Sequence, residues 1–179
     1  MAQVTEQLVW SSNVSITDVT NPENTTSSDD SRNIMGGSAD WTFELTNLSQ
    51  TPTSIVSVQG KIEGRTNADG GTHIFFHKIL NGSGTELYSE ALALSDDGDS
   101  VQSGATRTTS DGSTAWTESD INALRIRIVE VATFTASQGE ADHYYLEVVY
   151  NVADPSFQPA IKLTSGQIKL TSGKIKITG

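Results

Sequence analysis

The sequence of 179 residues lacks cysteine, so it forms no disulfide and offers no thiolate ligand to a metal. It also lacks any run of 18 apolar residues, and its first residues have neither the basic nor the apolar region of a signal peptide. We therefore expect no membrane partner, and the missing cysteines fit assembly in a cytoplasm. No phosphate-binding loop, Gly-x-Ser-x-Gly elbow or His-Glu-x-x-His helix is present, and nothing singles out a catalytic pair among the acids. We expect a protein that is not an enzyme and has no cofactor.

Basic residues are scarce and unevenly placed. The first 154 residues hold all 22 acidic residues and 7 of the 11 basic ones, a net charge of −15. The segment 155–179 holds the other four, all lysines, and no acid, a net charge of +4. An acidic body is unsuited to a phosphate backbone, so we expect no nucleic-acid partner. A basic tail on an acidic body suits docking onto an acidic neighbour, such as another copy, although a solvated tail has the same composition.

Short alternating segments separated by turn residues fill the first 154 residues. Trp41, Phe43 and Leu45 alternate with polar residues, as in a strand with one buried face. The segment 73–80 is apolar on both faces, which predicts a central or interface strand. Further strands are predicted at 7–19, 56–63, 86–94, 100–109, 124–134 and 144–152.

The sequence also predicts the structure of two connections between these strands. A polar segment at about 20–38 predicts a long loop. Thr117, with Asp120 three residues later, resembles a capping box and predicts a short helical turn. About eight strands at this spacing predict an all-β fold for residues 1–154, an antiparallel β-sandwich of jelly-roll type.

The segment 155–179 predicts a β-rich C-terminal arm with a seven-residue repeat: Ile-Lys-Leu-Thr-Ser-Gly-Gln, Ile-Lys-Leu-Thr-Ser-Gly-Lys, Ile-Lys-Ile-Thr-Gly. Because seven is odd, the aliphatic residues share a face only if each Thr-Ser-Gly turns or bulges the chain. Either each repeat is a rung of a small β structure, or the arm lies between two surfaces. Both arrangements need other chains, since repeats this short bury no core alone. The predicted interface residues are Ile161, Lys162, Leu163, Ile168, Lys169, Leu170, Ile175, Lys176 and Ile177.

Three groups of side chains are weaker candidates for a site. Asp96, Asp97 and Asp99 could hold calcium, but the EF-hand spacing is absent and an acidic turn explains them equally. His73 and His77 would lie about 13 Å apart on one strand, too far to share a metal unless a trimer axis assembled three copies. The tryptophans could stack on sugars, or they could pack in the core.

Two runs resemble the end of β-sandwich domains in virion proteins of tailed bacteriophages. They are Trp-Thr-Glu-Ser-Asp-Ile-Asn-Ala-Leu-Arg-Ile-Arg-Ile from Trp116 and His-Tyr-Tyr-Leu-Glu-Val-Val-Tyr-Asn-Val from His143. The resemblance implies a non-enzymatic component of the virion. We expect a homotrimeric capsid decoration, or cement, protein, assembled in the host cytoplasm. Its arm would attach by strand addition to another copy, the major capsid protein or another virion protein. The alternative is a tail or fibre domain that binds a host glycan or receptor through tryptophans and loop acids.

Overall fold

The computed structural model describes residues 1–29, 31–66, 73–94, 98–131, 139–154, 167–171 and 174–178. Every strand pairing is antiparallel, so the predicted antiparallel all-β fold is confirmed. The body contains a 3₁₀ helix, Pro22–Thr25, a short helix α1, Glu118–Asn122, and eight strands. These strands are β1 Ala2–Thr20, β2 Asn33–Leu45, β3 Ser54–Thr66, β4 His73–Leu80, β5 Glu86–Leu94, β6 Ser100–Ser103, β7 Arg125–Val131 and β8 Gly139–Val152. Beyond the body, β9 Gln167–Thr171 pairs with β10 Lys174–Thr178.

The eight body strands fall into two groups of four. One group has the order β1-β8-β3-β6 and the other β2-β7-β4-β5. From β1 to β8 the chain changes group at every connection except the β4–β5 hairpin. This alternation is the one expected of a jelly roll built from two Greek keys. Turn chemistry explains the exception, because the side chain of Asn81 accepts hydrogen bonds from the amides of Ser83 and Thr85, and Gly84 has φ 84°.

β1 and β2 join the two groups at one side of the sandwich. The first part of β1 pairs with β8, and the part from Trp10 onward pairs with β2. The start of β2 also pairs with the start of β8. The predicted long loop at about 20–38 is therefore shorter than expected, since β1 reaches Thr20 and β2 begins at Asn33. Tertiary contacts extend β2 through this polar sequence: Met35 is fully buried, and its sulfur accepts a hydrogen bond from Tyr144.

The core lies between the two groups of strands. Trp41, Phe43 and Tyr144 are fully buried, with ring centroids 4.3 Å apart for the first two and 5.8 Å for Trp41 and Tyr144. Strand alternation brings them together, because Trp41 and Phe43 are two residues apart in β2. Their burial explains the alternation at 41–45 as core packing.

The predicted capping box begins α1. The Thr117 hydroxyl accepts a hydrogen bond from the Asp120 amide at 3.2 Å, and the Asp120 carboxylate accepts one from the Thr117 amide at 2.9 Å. Ile121 anchors the helix in the core. With five residues α1 cannot cross a bilayer, and no longer apolar helix occurs in the described ranges.

Candidate assembly surface

The last two repeats of the arm form a hairpin. Its register pairs Ile168 with Ile177 and Leu170 with Ile175. Lys169 pairs with Lys176, so alternation assigns the four aliphatic positions to one face of the ladder and these lysines to the other. These aliphatic positions share a face despite the odd period of the repeat, because the chain reverses between Thr171 and Lys174. The first repeat, with Ile161, Lys162 and Leu163, lies outside the described residues.

A hairpin of this kind is poorly stable alone. Two-stranded ladders are marginal in water, and two like charges directly opposite each other weaken the pairing further. An aliphatic face on one side of the hairpin stabilises it only when another surface covers that face, because only then is the apolar area removed from water. The hairpin is therefore suited to contact with a second apolar surface.

The outer face of β5, β4 and β7 carries such a surface. Phe76 is 37% exposed, and its cross-strand partners are Ala91 and Val129. Ile74 pairs with Ala93 in the next row. We call these five residues the Phe76 patch. The sequence signal was the segment 73–80, apolar on both faces, but only the register shows which residues join Phe76.

Closed ion pairs border the Phe76 patch on the same face, where Asp40 is the cross-strand partner of Val129. Arg127 donates to Asp40 with 2.8 Å between Nε and Oδ1, and the Arg127 guanidinium holds the pKa of that carboxyl below its usual value. Lys78 lies 2.8 Å from Glu86. The two charges of each pair neutralise each other and gain little from a further partner. The Phe76 patch is therefore the part of this face that gains most from being covered.

His77 and His143 belong to no shared group of metal ligands in the part of the chain that the structure describes. His77 lies inside the sandwich, 1% exposed, which excludes the predicted role at a trimer axis. Burial lowers its pKa to about 4, partly opposed by the charge of Glu90. His143 stacks on Tyr145 with centroids 4.3 Å apart, and burial lowers its pKa as well. His73 begins β4.

The acidic turn shows no calcium site in the part that the structure describes. Asp99 accepts hydrogen bonds from both Nε and a terminal nitrogen of Arg32, so its carboxylate already neutralises a cation. Asp96 and Asp97 lie outside the described residues. Among those described, no three His, Cys, Asp or Glu side chains are grouped as metal ligands would be.

A cleft of about 360 Å³ beside α1 contains Trp116, Asp111 and Asp120, the types of residue expected of a glycan site. All three side chains are already packed or hydrogen-bonded within the protein. Asp111 accepts hydrogen bonds from the amides of Ser113 and Thr114, which hold its pKa well below the usual range. Asp120 completes the capping box. Trp116 is 4% exposed and therefore presents little of its ring for stacking on a sugar.

Comparisons with protein-family models, with curated proteins and with solved structures find no match for this chain.

Proposed function

We propose that the chain is a non-enzymatic structural protein of a virion: an oligomeric capsid decoration protein, most simply a homotrimer, attached through its C-terminal arm. One observation carries this proposal. An acidic sandwich is joined to a basic segment that ends in a hairpin with aliphatic residues on one face. A face of this kind serves binding better than chemistry, because aliphatic side chains contribute area rather than reactive groups.

Four further features support the proposal. The alternation of the strands between two groups supports a jelly roll, and the runs from Trp116 and His143 resemble virion proteins of tailed bacteriophages. The charges of −15 and +4 favour contact between the arm of one copy and the body of another. The cleft at Trp116 is poorly suited to the competing role of binding a glycan. Its two acids already accept hydrogen bonds within the protein, and its indole is packed.

The first experiment measures the solution mass of the full chain by light scattering. The wild type is expected at a multiple of 19.1 kDa, three for a trimer. The arm variant, Ile168→Asp with Leu170→Asp, is expected at 19.1 kDa with an unchanged circular dichroism spectrum. The matched control, Gln167→Asp with Thr171→Asp, adds the same charges to the other face of β9 and should retain the wild-type mass. A monomeric wild type, or an arm variant of wild-type mass, would contradict the proposal.

The second experiment locates the protein on particles. Band intensity relative to the major capsid protein on a gel of purified virions separates a decoration protein, present in hundreds of copies, from a fibre or tail-tip protein, present in a few. A few copies, together with hits on a glycan array, would favour the tail or fibre role instead.

A further inference from the structure

The chain carries two apolar faces that would gain from a covering surface: the aliphatic positions of the β9–β10 hairpin and the Phe76 patch. We propose that the hairpin of one copy packs face to face on the Phe76 patch of a second copy. This inference rests on the proposed function and specifies the surface to which the arm attaches.

The patch is large enough to cover the aliphatic positions of the hairpin. Neighbouring strands lie about 4.8 Å apart, and alternate residues of one strand about 6.8 Å apart. The hairpin therefore presents its aliphatic positions as a square of two strands by two rows. The Phe76 patch spans three strands and two rows, one more strand than the hairpin. Sheets that stack face to face lie about 10 Å apart, so the hairpin would add a third layer with Phe76 near its centre.

Packing on a face suits this body better than the strand addition that the sequence predicted. β1 pairs with β2 from Trp10 onward, and its exposed Val14 and Ile16 suggest an edge ready for another strand. However, its register shifts three times over this stretch, and Asp18 has φ 54°. Bulges and left-handed residues interrupt the row of amides and carbonyls that an added strand needs. The strand order ends at β6, which has only four residues, and at β5, which has nine and pairs only with β4 among the described strands. A strand added at β5 would leave Phe76 of β4 uncovered, whereas a hairpin packed on the face would cover it.

The position of the arm favours a second copy over the same chain. The arm follows β8, which ends at Val152 near α1. Hydrogen bonds establish this location: Asn122 binds the Leu48 amide, and Glu6 binds both the Ser49 amide and the Tyr150 hydroxyl. The Phe76 patch belongs to the other group of strands, in the half of its sheet away from α1. The end of β8 and the Phe76 patch thus belong to different groups of strands and lie toward opposite ends of the sandwich, which favours the hairpin of a neighbouring copy as the partner of the patch.

Such an interface is heterologous, so one copy can lose its arm and another its patch without losing the contact between them. The test uses the full chain in three forms: the arm variant, the patch variant Phe76→Asp, and the control Val101→Asp, a 48% exposed valine on β6. A second patch variant, Ala91→Asp, covers the case in which Phe76→Asp fails to fold, as judged by circular dichroism. Light scattering measures each protein alone and an equal mixture of the arm and patch variants.

The arm and patch variants are expected to be monomers of 19.1 kDa, and the control should keep the wild-type mass. Their mixture should form a complex of twice 19.1 kDa, because one partner retains a hairpin and the other a patch. Folded patch variants that keep the wild-type mass, while the arm variant is monomeric, would overturn this inference and leave the proposed function standing. Two monomeric variants that form no complex would exclude docking on a second copy. An arm variant that stays oligomeric would overturn both.

Discussion

Gly60 of β3 faces His77 of β4 across the interior of the sandwich, and a Cβ on Gly60 would lie 2.6 Å from Nδ1 of the imidazole. Gly60 is not among the glycines with positive φ, so close packing rather than backbone conformation explains a glycine here. His77 is fully buried, and its ring nitrogens hydrogen-bond no residue in the described part of the chain. The imidazole therefore contributes to the core only by packing between the two groups of strands.

Gly60→Ala should destabilise the protein, although alanine normally suits a strand better than glycine. The added methyl group forces His77 to move within a closed core, which costs about 1–3 kcal/mol. Urea unfolding measures this cost. In a His77→Ala background the same substitution should cost much less, because the side chain that it meets is gone. Equal costs in the two backgrounds would exclude the contact as the cause.

The stability of the protein should fall as the pH drops from about 6.5 to about 4. His77 has a folded-state pKa of about 4 and an unfolded value of 6.5, so in this window the unfolded chain takes up a proton that the folded one refuses. The contribution of His77 to the free energy of unfolding should decrease by about 1.4 kcal/mol per pH unit, or about 3.5 kcal/mol in all. Below pH 4 the loss should continue, because the lowered pKa values of Asp40 and Asp111 make protonation of those carboxylates unfavourable in the folded state. His143, with a lowered pKa, adds a loss of the same sign. Urea unfolding at four pH values should give a shallower slope for His77→Leu than for the wild type; identical slopes would contradict the assignment.

Asn13 should stabilise the protein because its side chain accepts hydrogen bonds from two indoles at once. Its side-chain oxygen accepts hydrogen bonds from Trp10 Nε1 at 2.9 Å and from the buried Trp41 Nε1 at 2.8 Å. Asn13→Ala leaves the Trp41 donor unpaired, which costs about 1–3 kcal/mol. Chemical denaturation followed by tryptophan fluorescence measures the effect. Asn13→Asp retains an acceptor oxygen and should remain near wild type, and an equal loss in both variants would argue against the hydrogen bonds.

Thr117→Ala removes one half of the capping box of α1. The expected cost is about 1 kcal/mol, since the Asp120 amide loses its acceptor. Ser119→Ala is the matched control, because it changes an exposed hydroxyl within the same helix outside the box. Thermal unfolding should show a lower midpoint for the first variant than for the second. Coincident midpoints would show that the box contributes nothing measurable.

The candidate assembly surface was only partly predictable. The repeat shows which arm residues are aliphatic, and that they share a face only if each Thr-Ser-Gly turns or bulges the chain, because strand alternation has period two and the repeat period seven. The Phe76 patch could not be assembled from sequence, since Phe76, Ala91 and Val129 are brought side by side by pairings between distant segments. For the same reason the three register shifts of β1 were not predictable, since they depend on its fit to β2.

By itself the sequence determined the local elements: the approximate positions of the strands, although β6 ends at Ser103 and not at 109, the turn at Asn81, the capping box at Thr117 and the separation of charge between body and arm. These follow from alternation, turn chemistry and composition, which act over a few residues. Tertiary structure alone decided the strand order, the extension of β2 into a polar segment and the burial of His77 against Gly60. Those outcomes depend on side chains far apart in the chain, whose packing outweighs local preference.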